Sequence, residues 1–358
     1  FRDLALRFAK KELEPKAIDL DDYPFCDFNR GALKAAREAG LLRVMLSEAH
    51  GGTGQGMAVF CEIISSLARS DASFASVVFV NSLAQSALIR WGTQVLIDKY
   101  IQSELIAFPA YDLPTDLPRY LAAEKKGEVY SLKGRVEYLA LAPVADALIL
   151  PAHMQGSEGV SFFLVDAKAK GISISEPILS LGLRSCPVAD VELDRVEVPS
   201  VNLLCKDAES GYPALASSFR PAAAALAVGV LAGSFETAMA YAKDRYQGGR
   251  MIIDYDQVRF MLVNMAVVAE SGKALVRSMA HAADDGQPWP LSDAGLILLT
   301  EQASRAATDG VQVLGGYGYM KDYGQEKRMR DAKQIESIFG AVPLKRLELM
   351  ADILRQEK

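Results

Sequence analysis

The hydrophobic period of this chain changes twice, and no other feature restricts its fold as much. From Phe1 to about Leu105 apolar residues recur at helical spacing, as in FRDLALRFAKKELEP and in the amphipathic stretch Asn29 to Leu42. From about Ile106 to Asn202 they alternate instead: EVYSLKGRVEYLA, DALILPAHM, GVSFFLVDA, GISISEP and ADVELDRVEVP, separated by Gly, Pro and Asp turns. In the last of these, Val191, Leu193, Val196 and Val198 form an apolar series that shifts register at Asp194-Arg195. From about Gly211 the helical period returns. Helices, then strands, then helices predict an α+β protein in three parts: an α-helical domain (1–105), a β-domain (106–205) and a second α-helical domain (206–358). Many short alternating strands at this spacing predict an antiparallel barrel or sandwich for the middle part.

At 358 residues the chain is long enough for two or three such units around shared cores. Net charge is −6 and the isoelectric point near 5.3, with no basic stripe, which argues against nucleic acid as the main partner. No apolar run reaches the roughly 18 residues that span a bilayer. The Ala-rich stretch Pro221 to Gly233 comes nearest; Pro221 reads as the first turn of a helix running to about Tyr246, and its small residues suit close helix packing. Four scattered cysteines and three histidines have no zinc spacing, so no metal is expected and the cysteines are read as reduced, in a cytoplasmic protein.

Two glycine-rich stretches stand out. The loop Leu46 to Gly56 (LSEAHGGTGQG) lacks the Lys-Ser/Thr ending of a phosphate-binding loop and reads as a helix-connecting turn. The second is VQVLGGYGYMKDYGQEKRMRDAKQIESIFG, from Val311 to Gly340. It is similar to the C-terminal signature of the acyl-CoA dehydrogenases, flavoenzymes that desaturate acyl-CoA thioesters between the α and β carbons. Other stretches resemble the same family in order: the GG-x-G loop, the Ser-Asp-Ala-Ser cap at Ser70 to Ser73, GTQVLIDKY, and KDRYQGGRMIIDYDQVRFMLVNMA from Lys243 to Ala266. The resemblance covers nearly the whole chain. It implies a helical N-terminal domain, a middle antiparallel β-domain and a C-terminal four-helix-bundle domain, with FAD and an acyl-CoA thioester as cofactor and substrate.

The resemblance also assigns residues. Arg245 falls on an arginine that contacts the FAD pyrophosphate. Gln312, Gly315 and Gly316 fall on residues that reach the adenosine part of the FAD held mainly by a neighbouring subunit, which implies a homo- or hetero-tetramer. A guanidinium and side-chain-free backbone suit phosphate oxygens. Arg220 matches an arginine next to the acyl pocket. The electron acceptor implied is an electron-transfer flavoprotein.

At three places the chain departs from the family pattern. The catalytic glutamate before the last glycine is Phe339, and the alternative base position, before Arg220, is Phe219. Glu336 is the nearest carboxylate to 339; in an extended segment its odd offset aims it to the opposite face. The first flavin-contacting strand reads FPAYDLPTDLP (Phe108 to Pro118), with Tyr111-Asp112 for the Thr-Glu pair and Leu-Pro-Thr, ending at Thr115, for Ala-Gly-Ser. The second reads Tyr138-Leu139-Ala140, keeping an aromatic wall without the following hydroxyl. Desaturation gives an α proton to a base while hydride leaves the β carbon. A general base contributes about 10²–10⁴-fold, and phenylalanine has no group to do so. Three readings remain: a base-deficient subunit of a hetero-oligomer, an active homotetrameric flavoenzyme or enoyl-CoA reductase with a non-standard base, and a CoA-ester binder without flavin. Phe219 and Phe339 also have the bulk to fill an acyl pocket.

Overall fold

The computed structural model describes residues 1–358 except 24–26, 112–120, 156–158, 287–291 and 357–358. The first part contains α1 (Arg2–Phe8), α2 (Arg30–Glu38), α3 (Met57–Ser70), α4 (Ala72–Trp91) and α5 (Gln94–Tyr100). Asn29 caps α2 by accepting from the Ala32 N–H, and Asp71 caps α4 by accepting from the Ser73 N–H. The loop at 46–56 is a helix connector: Thr53 Oγ1 donates to the Val44 carbonyl, and the Asp284 carboxylate accepts from the first N–H groups of α3, at Met57 and Ala58.

The middle part is one sheet built from β1 (Ile106–Ala107), β2 (Leu121–Lys126), β3 (Val129–Ala140), β4 (Ala147–Met154), β5 (Val160–Asp166), β6 (Ile172–Ile174), β7 (Val188–Pro199) and β8 (Leu203–Cys205). Its order is β6-β7-β3-β2-β4-β5-β8, with β1 beside β4. Most pairs are antiparallel, but β1 and β2 each run parallel to β4, a mixture that alternation along single strands does not reveal. The register shift at Asp194-Arg195 is a bulge in which Arg195 takes φ 53°. A second irregularity, between Val136 and Leu139, sets Tyr138 at φ 58°.

The last part holds α6 (Ala208–Asp244), a hairpin of β9 (Tyr246–Gln247) and β10 (Arg250–Met251), α7 (Asp256–Asp284), α8 (Ser292–Leu314), α9 (Gln325–Ile335) and α10 (Val342–Gln356). Helices α6, α7 and α8 pack on one another, α9 lies against α6 and α8, and α10 against α8. Pro221 does not open α6, as its place before the Ala-rich run suggests. The helix begins at Ala208 and carries Pro213 and Pro221 inside it. Packing on α3, α4, α7 and α8 outweighs the missing amide donors there. Helices α4 and α6 are both long and apolar enough to cross a bilayer, but most of each is buried inside the protein, and they are its core helices.

One buried ionic cluster ties the three parts. Lys327 Nζ, on α9, donates to Asp71 (2.9 Å) and Asp331 (2.7 Å), while Asp331 accepts the Leu183 N–H (2.7 Å). Arg330 bridges Asp21 and Glu326 and donates to the Leu181 carbonyl. Burial works against the Lys327 charge, but the Asp331 and Asp71 carboxylates outweigh it and hold its pKa above the ordinary value. The charged run before and within RDAK is thus an internal joint between layers.

Candidate active and cofactor site

Phe339 sits in the turn between α9 and α10, with φ 58°. Its N–H donates to the Ala110 carbonyl (2.9 Å), and the Gly340 N–H to the Tyr111 carbonyl (2.6 Å). Its ring meets Phe79 of α4 edge-on at 5.9 Å and Tyr212 of α6 at 6.4 Å. Phe219, on α6, meets Phe60 and the same Phe79 edge-on, each at 6.1 Å. Phe79 therefore bridges the two positions where the family resemblance places a base, and Phe60, Phe79 and Phe219 are all at most 2% exposed. Edge-to-face pairs of this kind contribute about 0.5–1.5 kcal/mol each beyond burial. This interior is a packed aromatic stack.

Glu336 does not approach it as a base. The segment is not extended: Glu336 closes α9 and a tight turn follows. Its carboxylate accepts from Ser304 Oγ of α8 (2.5 Å) and Lys333 Nζ (2.7 Å), so it fastens α9 to α8. Arg220 is likewise engaged, in an ion pair with Asp293 at the start of α8. Burial pushes the Asp293 carboxyl up, and Arg220 opposes that. Beside them Lys345 of α10 is buried and donates to the Glu336 carbonyl oxygen (2.9 Å).

The two strands expected against a flavin ring touch each other directly. Tyr111 is 6% exposed and meets Tyr138 edge-on at 5.6 Å. Tyr138 Oη is 2.7 Å from Ser180 Oγ and accepts from Gln334 Nε2 (3.3 Å), while its N–H is held by Asp190 (2.9 Å). Tyr111 lies beside Cys186, whose thiol burial pushes up to about 12. Thr115 and the rest of 112–120 lie outside the described residues. Among the described residues, the two segments are joined by the Tyr111–Tyr138 ring contact, and the first is tied to the 339–340 turn by backbone bonds.

The other half is open. At the end of α6, Arg245 lines a groove of about 590 Å³ with Tyr241, Gly315, Gly316, Tyr317 and Tyr319. Tyr241, Tyr317 and Tyr323 form a triangle of ring contacts at 5.4–6.2 Å, and the Arg245 guanidinium lies 5.7 Å from the Tyr317 ring centre. A Cβ added at Gly315 or Gly316 would meet nothing within 4 Å, so the backbone there is bare. A guanidinium, free backbone and exposed aromatic faces fit the pyrophosphate and adenosine end of FAD. Gln312 is exposed on the last turn of α8 but does not line this groove. The tyrosine triangle, the Tyr111–Cys186 contact and buried Lys345 carry no motif; only the Tyr-rich composition of 317–323 hints at the first.

Layered helices, an interposed sheet and a phosphate-suited groove define the three-part flavoenzyme class. Acyl-CoA dehydrogenase domains match over residues 1–104 (N-terminal domain) and 215–353 (C-terminal domain), together more than half of the chain. The chain is 29% identical to cyclohex-1-ene-1-carbonyl-CoA dehydrogenase of Geobacter metallireducens over 96% of its length and 94% of the relative's. It is 27% identical to a 3-(aryl)acrylate reductase of Clostridium sporogenes, covering 99% and 97%. A solved chain described with the electron transferring flavoprotein of Acidaminococcus fermentans superposes with a TM-score of 0.92 at 26% identity, covering 99% and 97%. Butyryl-CoA dehydrogenase from Megasphaera elsdenii shares the fold, with a TM-score of 0.91 at 22% identity and the same coverage. The chain belongs to the acyl-CoA dehydrogenase family, a family of FAD-dependent oxidoreductases.

Proposed function

We propose that this chain is a base-deficient subunit of an acyl-CoA dehydrogenase-type tetramer whose catalytic partner is a related subunit. The carrying observation is that both base positions, Phe219 and Phe339, are built into one aromatic stack through Phe79. FAD, when bound in such an assembly, supplies the hydride acceptor for α,β-desaturation of an acyl-CoA thioester. The residues of this chain orient: Arg245, Gly315 and Gly316 face the partner's pyrophosphate and adenosine, with Gln312 at the groove's edge. Tyr111, Tyr138 and Phe339 close the chain's own ring and thioester space, Arg220 braces α6 on α8, and Thr115 is kept with the first flavin strand. The division into 1–105, 106–205 and 206–358, cytoplasmic location and electron transfer to an electron-transfer flavoprotein belong to the same reading. Exposed apolar residues support an assembly surface: Phe260, Val263 and Val267 at spacing i, i+3, i+7 on α7, and Leu347 on α10.

The second reading is a homotetramer with its own flavin, working as an enoyl-type reductase; the full-length match to a 3-(aryl)acrylate reductase favours it. The visible absorbance of the protein purified alone separates the two. The subunit reading expects a colourless protein that turns yellow on co-expression with a base-bearing relative, and no desaturase activity from Phe339→Glu alone. One flavin per chain that bleaches anaerobically with an acyl-CoA overturns it.

A further inference from the structure

A cleft of about 290 Å³ opens between α1, α3, α6 and α7. None of the aromatic stack or the Arg245 groove lines it. Its depth comes from α6, where Ala225, Val228 and Ala232 follow one another at spacing i, i+3, i+7 and are too short to fill the gap to α7. With Val276 of α7 they make an apolar floor that is at most 8% exposed. Cys61 is part of the wall, and burial holds its thiol protonated, so the cleft offers no nucleophile.

The mouth has the opposite character. Arg2, Arg69, Lys273 and Arg277 surround it, with His281, against only two carboxylates, Glu62 and Glu236. Four cations to two anions reverse the sign of a chain whose net charge is −6. Arg69 is bonded to Glu236 (2.5 Å), and Lys273 to Glu270 outside the cleft (2.7 Å). Arg2 and Arg277 instead share Glu62, at 3.8 and 3.6 Å, both beyond hydrogen-bond length. Two forked guanidiniums over one carboxylate leave donors for a second.

We infer that this cleft binds a medium-chain carboxylate, its alkyl tail on the Ala225–Val228–Ala232 floor and its carboxylate between Arg2 and Arg277. A volume near 290 Å³ is at the lower end of small-ligand pockets, which run from about 300 to 1,000 Å³, and suits a short single-chain amphiphile such as octanoate. An alcohol of the same length keeps the tail contact and loses the charge contact. A cationic amphiphile is repelled at the mouth. Because the rim is solvent-exposed, binding weakens with salt.

The test is calorimetric titration of the full chain, without added flavin, with octanoate, octanol and octylammonium at low ionic strength. Octanoate is expected to bind one to one, at least tenfold more tightly than octanol, with no binding of octylammonium. The Arg2→Ala/Arg277→Ala variant should bring octanoate down to the octanol level. Ala232→Leu, which raises the floor into the tail's path, should abolish both. Equal affinity for octanoate and octanol, or undiminished octanoate binding by a folded Ala232→Leu protein, overturns the proposal. If Ala232→Leu does not fold, the exposed double variant decides. The readout needs no flavin, so it is independent of the subunit reading.

Discussion

Lys345 sits where burial opposes its charge. Burial lowers its pKa to about 8, while Asp293 acts in the opposite direction and Arg220 reinforces the shift; Glu336 and Glu348 oppose it. A lysine pKa lowered on folding means that between about pH 8 and 10.5 the unfolded chain holds a proton the native chain has released. Stability therefore rises with pH across that window, and below it the full cost of a buried charge applies. Urea unfolding of the protein and of Lys345→Met at a series of pH values checks this. The difference, wild type minus variant, should rise by about 3 kcal/mol from pH 7.5 to 10.5. A flat difference would mean that Lys345 is solvated. Phe339 is the other telling residue: a bulky side chain at φ 58° is strained, and the bonds to Ala110 and Tyr111 hold it there.

Among the elements, α6 organises the packing, and its glycines show why. A Cβ on Gly233 would fall on the Arg69 carbonyl oxygen of α3, and one on Gly229 would approach the Ser65 carbonyl. These helices touch backbone to backbone. Gly233→Ala is expected to cost about 1–3 kcal/mol by forcing them apart, read as a lower denaturation midpoint. Gly316→Ala, where a Cβ meets nothing, is the control and should leave the midpoint unchanged. The same close packing holds α6 helical through Pro221. From sequence the proline reads as a start signal, because the helical period around it is nearly all apolar and gives no boundary.

For the whole molecule, the proposed subunit role gives the open groove a function only in an assembly. Arg245→Ala changes an exposed residue, so the chain's own unfolding should stay within about 0.5 kcal/mol. The flavin-to-protein ratio of the co-expressed assembly should fall. An unchanged ratio would remove Arg245 from the cofactor site.

Sequence alone determined the segregation of helical and alternating stretches, and with it the three-part α+β order. It also determined the register shift at Asp194-Arg195 and the absence of a carboxylate at 219 and 339, because period and residue type are local properties. It did not reach the meeting of Phe219 and Phe339 on Phe79, the closure of Tyr111 on Tyr138, or the joint of Lys327 with Asp71 and Asp331. Nor did it reach the mouth of the 290 Å³ cleft, where Arg2 and Arg277 converge on Glu62. Most of those contacts join residues far apart in the chain, between which no spacing rule operates. Only the packing of α1, α3, α4, α6 and α7 on one another, with the 339–340 turn bonded to Ala110 and Tyr111, decided which side chains share a space.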